Sequence, residues 1–161
     1  MYYADSEVCA HIIDIVKFHK YIIKKIITID EVFNVPWGFV IYQNLSCMGY
    51  GMLIISNLDN LVDYVRYASA VLLFLIYFYN IFTRGQNIID HSTAIADACF
   101  HCNWYGLSKR AMKLLLIIMM RSNKKCKLSA AGALELSCET FLLMFVKGVF
   151  YYLFIARQFY K

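Results

Sequence analysis

Charge is scarce in this chain, and the scarcity excludes most soluble classes. Only 17% of the 161 residues are Asp, Glu, Lys or Arg, against 61% hydrophobic and 17% aromatic. Globular proteins sit nearer 45–50% apolar with about 25% charge. Proline occurs once and glycine seven times, too few for a disordered or collagen-like chain. No H-E-x-x-H, Gly-x-Ser-x-Gly or glycine-rich phosphate loop occurs, and no Ser-His-Asp set is suggested, so an enzyme is not expected. Met1 to Glu7 carries no basic cap ahead of an apolar stretch, so an internal helix is expected to direct the chain to a membrane.

Cysteine is not scarce, but its six positions (Cys9, Cys47, Cys99, Cys102, Cys126 and Cys138) have no regular spacing that would frame a small domain with disulfides. Cys99-x-x-Cys102 lies near His91 and His101. A four-ligand zinc site usually takes a second paired motif, and none is present. Neither a metal nor a cofactor is expected.

What the chain does have is apolar residues in long blocks. Residues 8–33 place Ile12, Ile15, Val16, Ile22, Ile23, Ile26 and Ile29 at helical spacing, with Lys17, Lys20, Lys24 and Lys25 between them. This predicts an amphipathic basic helix, too charged to cross a bilayer, which either lies beneath one or packs on other cytoplasmic helices. Pro36 suits the start of a new helix. From 35 to 55 no charge occurs, and 21 residues at 1.5 Å each span a core of ~30 Å. Gln43, Asn44 and Ser46, beside Gly49 and Gly51, are expected to face other helices. A polar break at 56–60 turns the chain, and residues 64–83 form the second span, with tyrosines at its ends. Residues 84–127 read as polar helices on the side of the first, among them a short apolar helix from Leu107 to Arg121 with Ser108 as its N-cap. The last helix is expected over 128–159, with Glu135 and Glu139 on one face and Lys147 near mid-bilayer, where its charge costs about 3 kcal/mol against lipid.

Orientation follows from the basic residues. Twelve of the sixteen Lys and Arg fall before the first span or between the second and third, and only Arg66, Arg157 and Lys161 fall opposite. The first end is therefore expected in the cytoplasm, the 56–63 turn outside and the last end outside. The net charge of +5 belongs to those cytoplasmic segments, so nucleic acid is not an expected partner. The fold class is all-α: a polytopic membrane bundle of about three transmembrane helices plus cytoplasmic helices.

The stretch Cys102-Asn103-Trp104-Tyr105, then Leu107-Ser108 and the run from Leu114 to Ser122, closely resembles the insect odorant receptor family. So does Lys127-Leu128-Ser129-Ala130-Ala131-Gly132 leading through Leu136-Ser137, Glu139-Thr140-Phe141, Lys147, Tyr151-Tyr152 and Arg157-Gln158. The resemblance rests on residues 99–158. It implies a seven-span architecture with a cytoplasmic N-terminus, of which this chain holds the fifth, sixth and seventh spans. It further implies a plasma-membrane subunit that binds small volatile odorants and joins an odorant co-receptor in a heterotetrameric, ligand-gated, non-selective cation channel. On that pattern Leu114, Leu115, Ile118 and Met119 belong to the anchor between subunits. Ile155, Gln158 and Phe159 match the gate, and Tyr67, Ser69, Ala70 and Phe74 are pocket candidates. With four spans missing, the chain is expected to be a portion of such a receptor. Tyr152 followed by Gln158-Phe159 also resembles the tail of the related gustatory receptors. A membrane scaffold that conducts nothing is the reading from a different class.

Overall fold

The computed structural model describes residues 5–55 and 60–159, apart from the side chains of residues 5, 6, 52, 55, 153, 155, 156, 158 and 159. Within them run α1 (Asp5–Ile55), α2 (Leu61–His101), a 3-10 turn (Trp104–Gly106), α3 (Lys109–Ser122), a two-stranded antiparallel hairpin of β1 (Ser129–Ala130) and β2 (Leu134–Glu135), and α4 (Cys138–Phe159). The protein is an all-α membrane bundle. Over an 18-residue window α2 reaches a mean hydropathy of 1.6 with only 6% of that window buried. A core helix of a water-soluble protein would be mostly enclosed. Here Leu72, Leu73, Ile76 and Tyr77 face outward, which suits lipid or neighbouring helices.

Three boundaries differ from the sequence expectation. First, α1 does not restart at Pro36 but runs through it for 51 residues. Proline offers no N–H to the carbonyl four residues back, that of Val32, and the helix carries on past the missing bond. Asn34, two residues earlier, accepts the Ala131 N–H on its own carbonyl at 3.0 Å. Second, the helix expected from Leu128 begins only at Cys138. Ala131 and Gly132 adopt positive φ of 52° and 70°, which a right-handed helix cannot contain. The chain turns there, with Ala133 N–H donating to the Ala130 carbonyl at 3.3 Å. Glu135 therefore sits in β2 and shares no helix face with Glu139. Third, the turn expected over 56–63 is shorter on its far side. Asn60 caps α2, its Oδ1 accepting from Val62 N–H at 3.2 Å, and the helix starts at Leu61; residues 56–59 lie outside the described residues. The start of α3 follows the sequence reading, with the Ser108 hydroxyl accepting from Ala111 N–H at 3.4 Å.

The chain forms two compact units, one from residues 1–31 and 87–128, the other from 32–86 and 129–161. In the first, Ile12, Ala111 and Ile118 form a small core on which Val8, Val16, Ile95, Cys99 and Leu114 pack. Its three helices are thus the opening half of α1, the closing part of α2 and α3.

The second unit is held by aromatic rings. Phe82 is fully enclosed and meets Phe78 edge-on at 4.9 Å. Phe141 of α4 reaches Phe78, Tyr79 and Phe82 at 5.7, 5.6 and 5.8 Å. In lipid the apolar driving force between helices is lost, and close packing takes its place. Gly49 lets the Tyr152 ring lie against α1, and the Tyr152 hydroxyl donates to the Leu45 carbonyl at 3.2 Å. Gly85 lets the Leu136 backbone lie against α2, and a Cβ there would overlap the Leu136 carbonyl. Gly85→Ala is expected to destabilise the fold by about 1–3 kcal/mol through overpacking, read as a lower melting temperature of the solubilised protein. Gly148→Ala, with open space around it, should leave stability unchanged or raise it by up to ~1 kcal/mol through helix propensity.

Candidate functional site

In the first unit α3 is apolar on two sides. One side closes the core, with Ile118 3% exposed and Leu114 packed beside it. The other stands open, with Leu116 54% and Met120 68% exposed. The four anchor candidates divide accordingly. Leu114 and Ile118 face the core. Leu115 and Met119, about 100° further round the helix, line an open groove of about 280 Å³ with Phe100, Trp104, Met112 and Leu116. Sequence reasoning missed Phe100, Trp104 and Met112 as wall residues. The signal available was three aromatic side chains, Phe100, Trp104 and Tyr105, in an otherwise largely polar stretch.

A second groove of about 510 Å³ lies between α1 and α3. Its floor is Ile23, Ile27, Ile117 and Ile118, and its rim is His19, Lys20, Lys24 and Arg121. Burial pushes the His19 pKa below its ordinary 6.5, and the neighbouring Arg121 guanidinium lowers it further. Both causes disfavour the imidazolium. Burial likewise raises the Cys99 thiol, with Cys102 adding to the effect, and a thiol so held is a poor nucleophile. Cys102 is exposed and donates its S–H to the Cys99 carbonyl at 3.0 Å.

In the second unit the pocket candidates lie along α2. At 100° per residue Tyr67, Ala70 and Phe74 share one face, whereas Ser69 sits about 200° from Tyr67. Ser69 is exposed and returns its hydroxyl to the Arg66 carbonyl at 2.8 Å. Helix periodicity therefore puts three of the four on one face and leaves Ser69 apart. Of the polar trio in α1 only Asn44 is buried, its Nδ2 donating to the Val40 carbonyl at 2.8 Å. Gln43 is exposed and bonds along its own helix to Cys47. Ile155, Gln158 and Phe159 fall on the last turns of α4, and their side chains lie outside the described residues. Lys147 is on an exposed face of α4.

The base of α4 is the most tightly fixed part of this unit. The hairpin turn is held by Asn34, whose Oδ1 accepts from Gly132 N–H at 2.6 Å and whose Nδ2 donates to Ser129 Oγ at 2.9 Å. On the other side Gln86 Oε1 accepts from Cys138 N–H at 3.2 Å, at the first residue of α4. Ser137 caps the helix, its hydroxyl accepting from Thr140 N–H at 3.2 Å. Asn34 and Gln86 do not stand out in the sequence, whereas Ser129, Gly132 and Ser137 lie in the stretch that carries the family resemblance.

A pH dependence follows from His19. Because its folded-state pKa lies below 6.5, the unfolded chain binds the proton first as pH falls. Stability from this group is complete well above pH 6.5 and is lost as pH drops through that value towards the folded pKa. Thermal melting at pH steps on either side of 6.5 should show the decline, and His19→Gln should flatten it.

The model of the 7tm Odorant receptor family matches residues 3–146 of this chain. Among individual proteins, the chain is 27% identical over 148 residues to "Odorant receptor 49a" of Drosophila melanogaster, covering 87% of this chain and 35% of that protein. It is 30% identical over 130 residues to "Odorant receptor 67a" of the same fly, covering 79% and 31%. It is 22% identical over 147 residues to "Odorant receptor coreceptor" of the ant Harpegnathos saltator, covering 88% and 30%. The chain thus spans about a third of the length of the relatives it matches.

Proposed function

The chain belongs to the seven-transmembrane odorant receptor family, and on that premise we propose that it contributes three membrane-crossing helices to a receptor subunit that opens a cation channel when a volatile odorant binds. The observation that carries the reading is the open apolar side of α3. Leu115, Leu116 and Met119, with Phe100 and Trp104, offer an unfilled groove in a unit rich in lysine and arginine. A self-contained water-soluble unit would bury such a face, and an apolar face left open suits contact with another protein. The occupant in this reading is the matching helix of a co-receptor subunit. Residues 5–31 and 87–127 serve as the cytoplasmic anchor, with the plasma membrane crossed at 35–55, 64–83 and along α4. The C-terminal end of α4 then lies outside the cell.

Within the membrane, Tyr67, Ala70 and Phe74 form an aromatic and aliphatic wall suited to an apolar ligand. At the far end of α4, Ile155 and Phe159 at i,i+4 provide an apolar constriction that blocks ions by dewetting and conducts when widened. Gln158 lies beside it. No step here needs a metal or cofactor.

The test is current in cells that express the chain, extended to the length of its relatives, together with a co-receptor. Odorant should evoke a cation current that requires both proteins. Leu115→Asp should weaken co-purification with the co-receptor by about 2 kcal/mol or more, roughly thirtyfold, while Lys125→Ala should not. Surface expression and co-purification without any evoked current would instead mark a scaffold that conducts nothing.

A further inference from the structure

The contacts around the hairpin do more than close a loop. Asn34 engages three hairpin residues, Ser129, Ala131 and Gly132, through both ends of its side-chain amide and its backbone carbonyl. These partners lie 95 and more residues away in sequence. They meet α1 two residues before Pro36. Gly38, one turn further on, leaves room for Ala131, since a Cβ there would come within 2.9 Å of the Ala131 Cβ. From this pinned turn only Ala133, β2, Leu136 and Ser137 lead to α4. Leu136 is 1% exposed and lies against Gly85, and Gln86 caps the next residue but one.

We propose that Asn34 is a positioning residue that ties the base of α4 to α1 through the hairpin, so that movement of either helix is carried to the other. The proposal rests on the channel reading above for its functional consequence, though the clasp itself does not. A two-residue strand pair is too short to be stable alone, so the turn keeps its shape only while Asn34 holds it. Ala131 adds to the need, because a non-glycine residue at φ 52° persists only where its surroundings enforce it. With the clasp intact, the base of α4 is fixed to α1 at Asn34 and to α2 at Gly85 and Gln86, and the far end of the helix can pivot about it. With the clasp broken, the base gives way and the pivot is lost.

Two substitutions separate this from a general need for Asn34 in folding. Asn34→Leu removes both side-chain bonds at similar size. Asn34→Asp keeps them, because Oδ1 still accepts from Gly132 N–H and the Ser129 hydroxyl can reverse and donate to Oδ2. In the full-length receptor expressed with its co-receptor, Asn34→Leu should lower the maximal odorant-evoked current per surface receptor at least ~5-fold, the lower end of typical coupling between sites. Asn34→Asp should restore it. Hydrogen exchange at the Ala131 and Gly132 amides and in the first turn of α4 should quicken in Asn34→Leu and not in Asn34→Asp. A loss confined to surface amount, with current per receptor unchanged, would overturn the coupling. So would failure of Asn34→Asp to rescue, or exchange that stays slow in Asn34→Leu. If the unmodified receptor passes no current, the channel reading fails by itself, and exchange at the base of α4 still decides whether Asn34 holds it.

Discussion

The architecture of the second unit depends on how a short hairpin is gripped between two long helices. Asn34 holds its turn, while Gly85 and Gln86 receive its exit into α4. Each grip solves a local problem. The turn residues Ala131 and Gly132 have backbone N–H groups to satisfy, and the Asn34 carbonyl and Oδ1 accept them. The first turn of α4 has unsatisfied N–H groups, and Gln86 and Ser137 supply acceptors. Once the base is set, Phe141 falls among Phe78, Tyr79 and Phe82, and Tyr152 lies in the notch left by Gly49. The path of α4 follows from contacts at its foot and is confirmed along its length by packing.

The first unit obeys a different constraint. Its core is small, built on Ile12, Ala111 and Ile118, and α3 buries only one of its two apolar sides. A helix of 14 residues that is greasy on both sides yet flanked by Lys109, Arg110, Lys113 and Arg121 is poorly suited to life alone in water, and too short to cross a bilayer. In the proposed assembly a second protein covers the open side of α3. The chain is similar to co-receptors as well as to receptors.

Much of this was legible in the sequence, and the exceptions have physical causes. The apolar runs and the basic bias marked a membrane bundle, and Ser108 ahead of an apolar heptad marked α3. The continuity of α1 through Pro36 was hidden because a proline equally suits the first turn of a new helix, whereas here the helix carries on past it. The hairpin was hidden because Leu128-Ser129-Ala130-Ala131-Gly132-Ala133-Leu134 is rich in helix formers, and its turn is enforced by tertiary bonds to Asn34. The separation of Ser69 from Tyr67, Ala70 and Phe74 needed no structure, since two residues along a helix turn about 200°. The division of the α3 candidates did need it, because which apolar side meets the core depends on where α1 and α2 lie.

The most direct measurement of the account is access to position 155 during gating. In the receptor and co-receptor complex, Ile155→Cys on α4 should react with a charged, membrane-impermeant thiol reagent applied from outside, and odorant should speed the reaction while the current is irreversibly altered. A current that the reagent leaves untouched, in the presence of odorant and with the variant at the surface, would contradict a conducting path along α4.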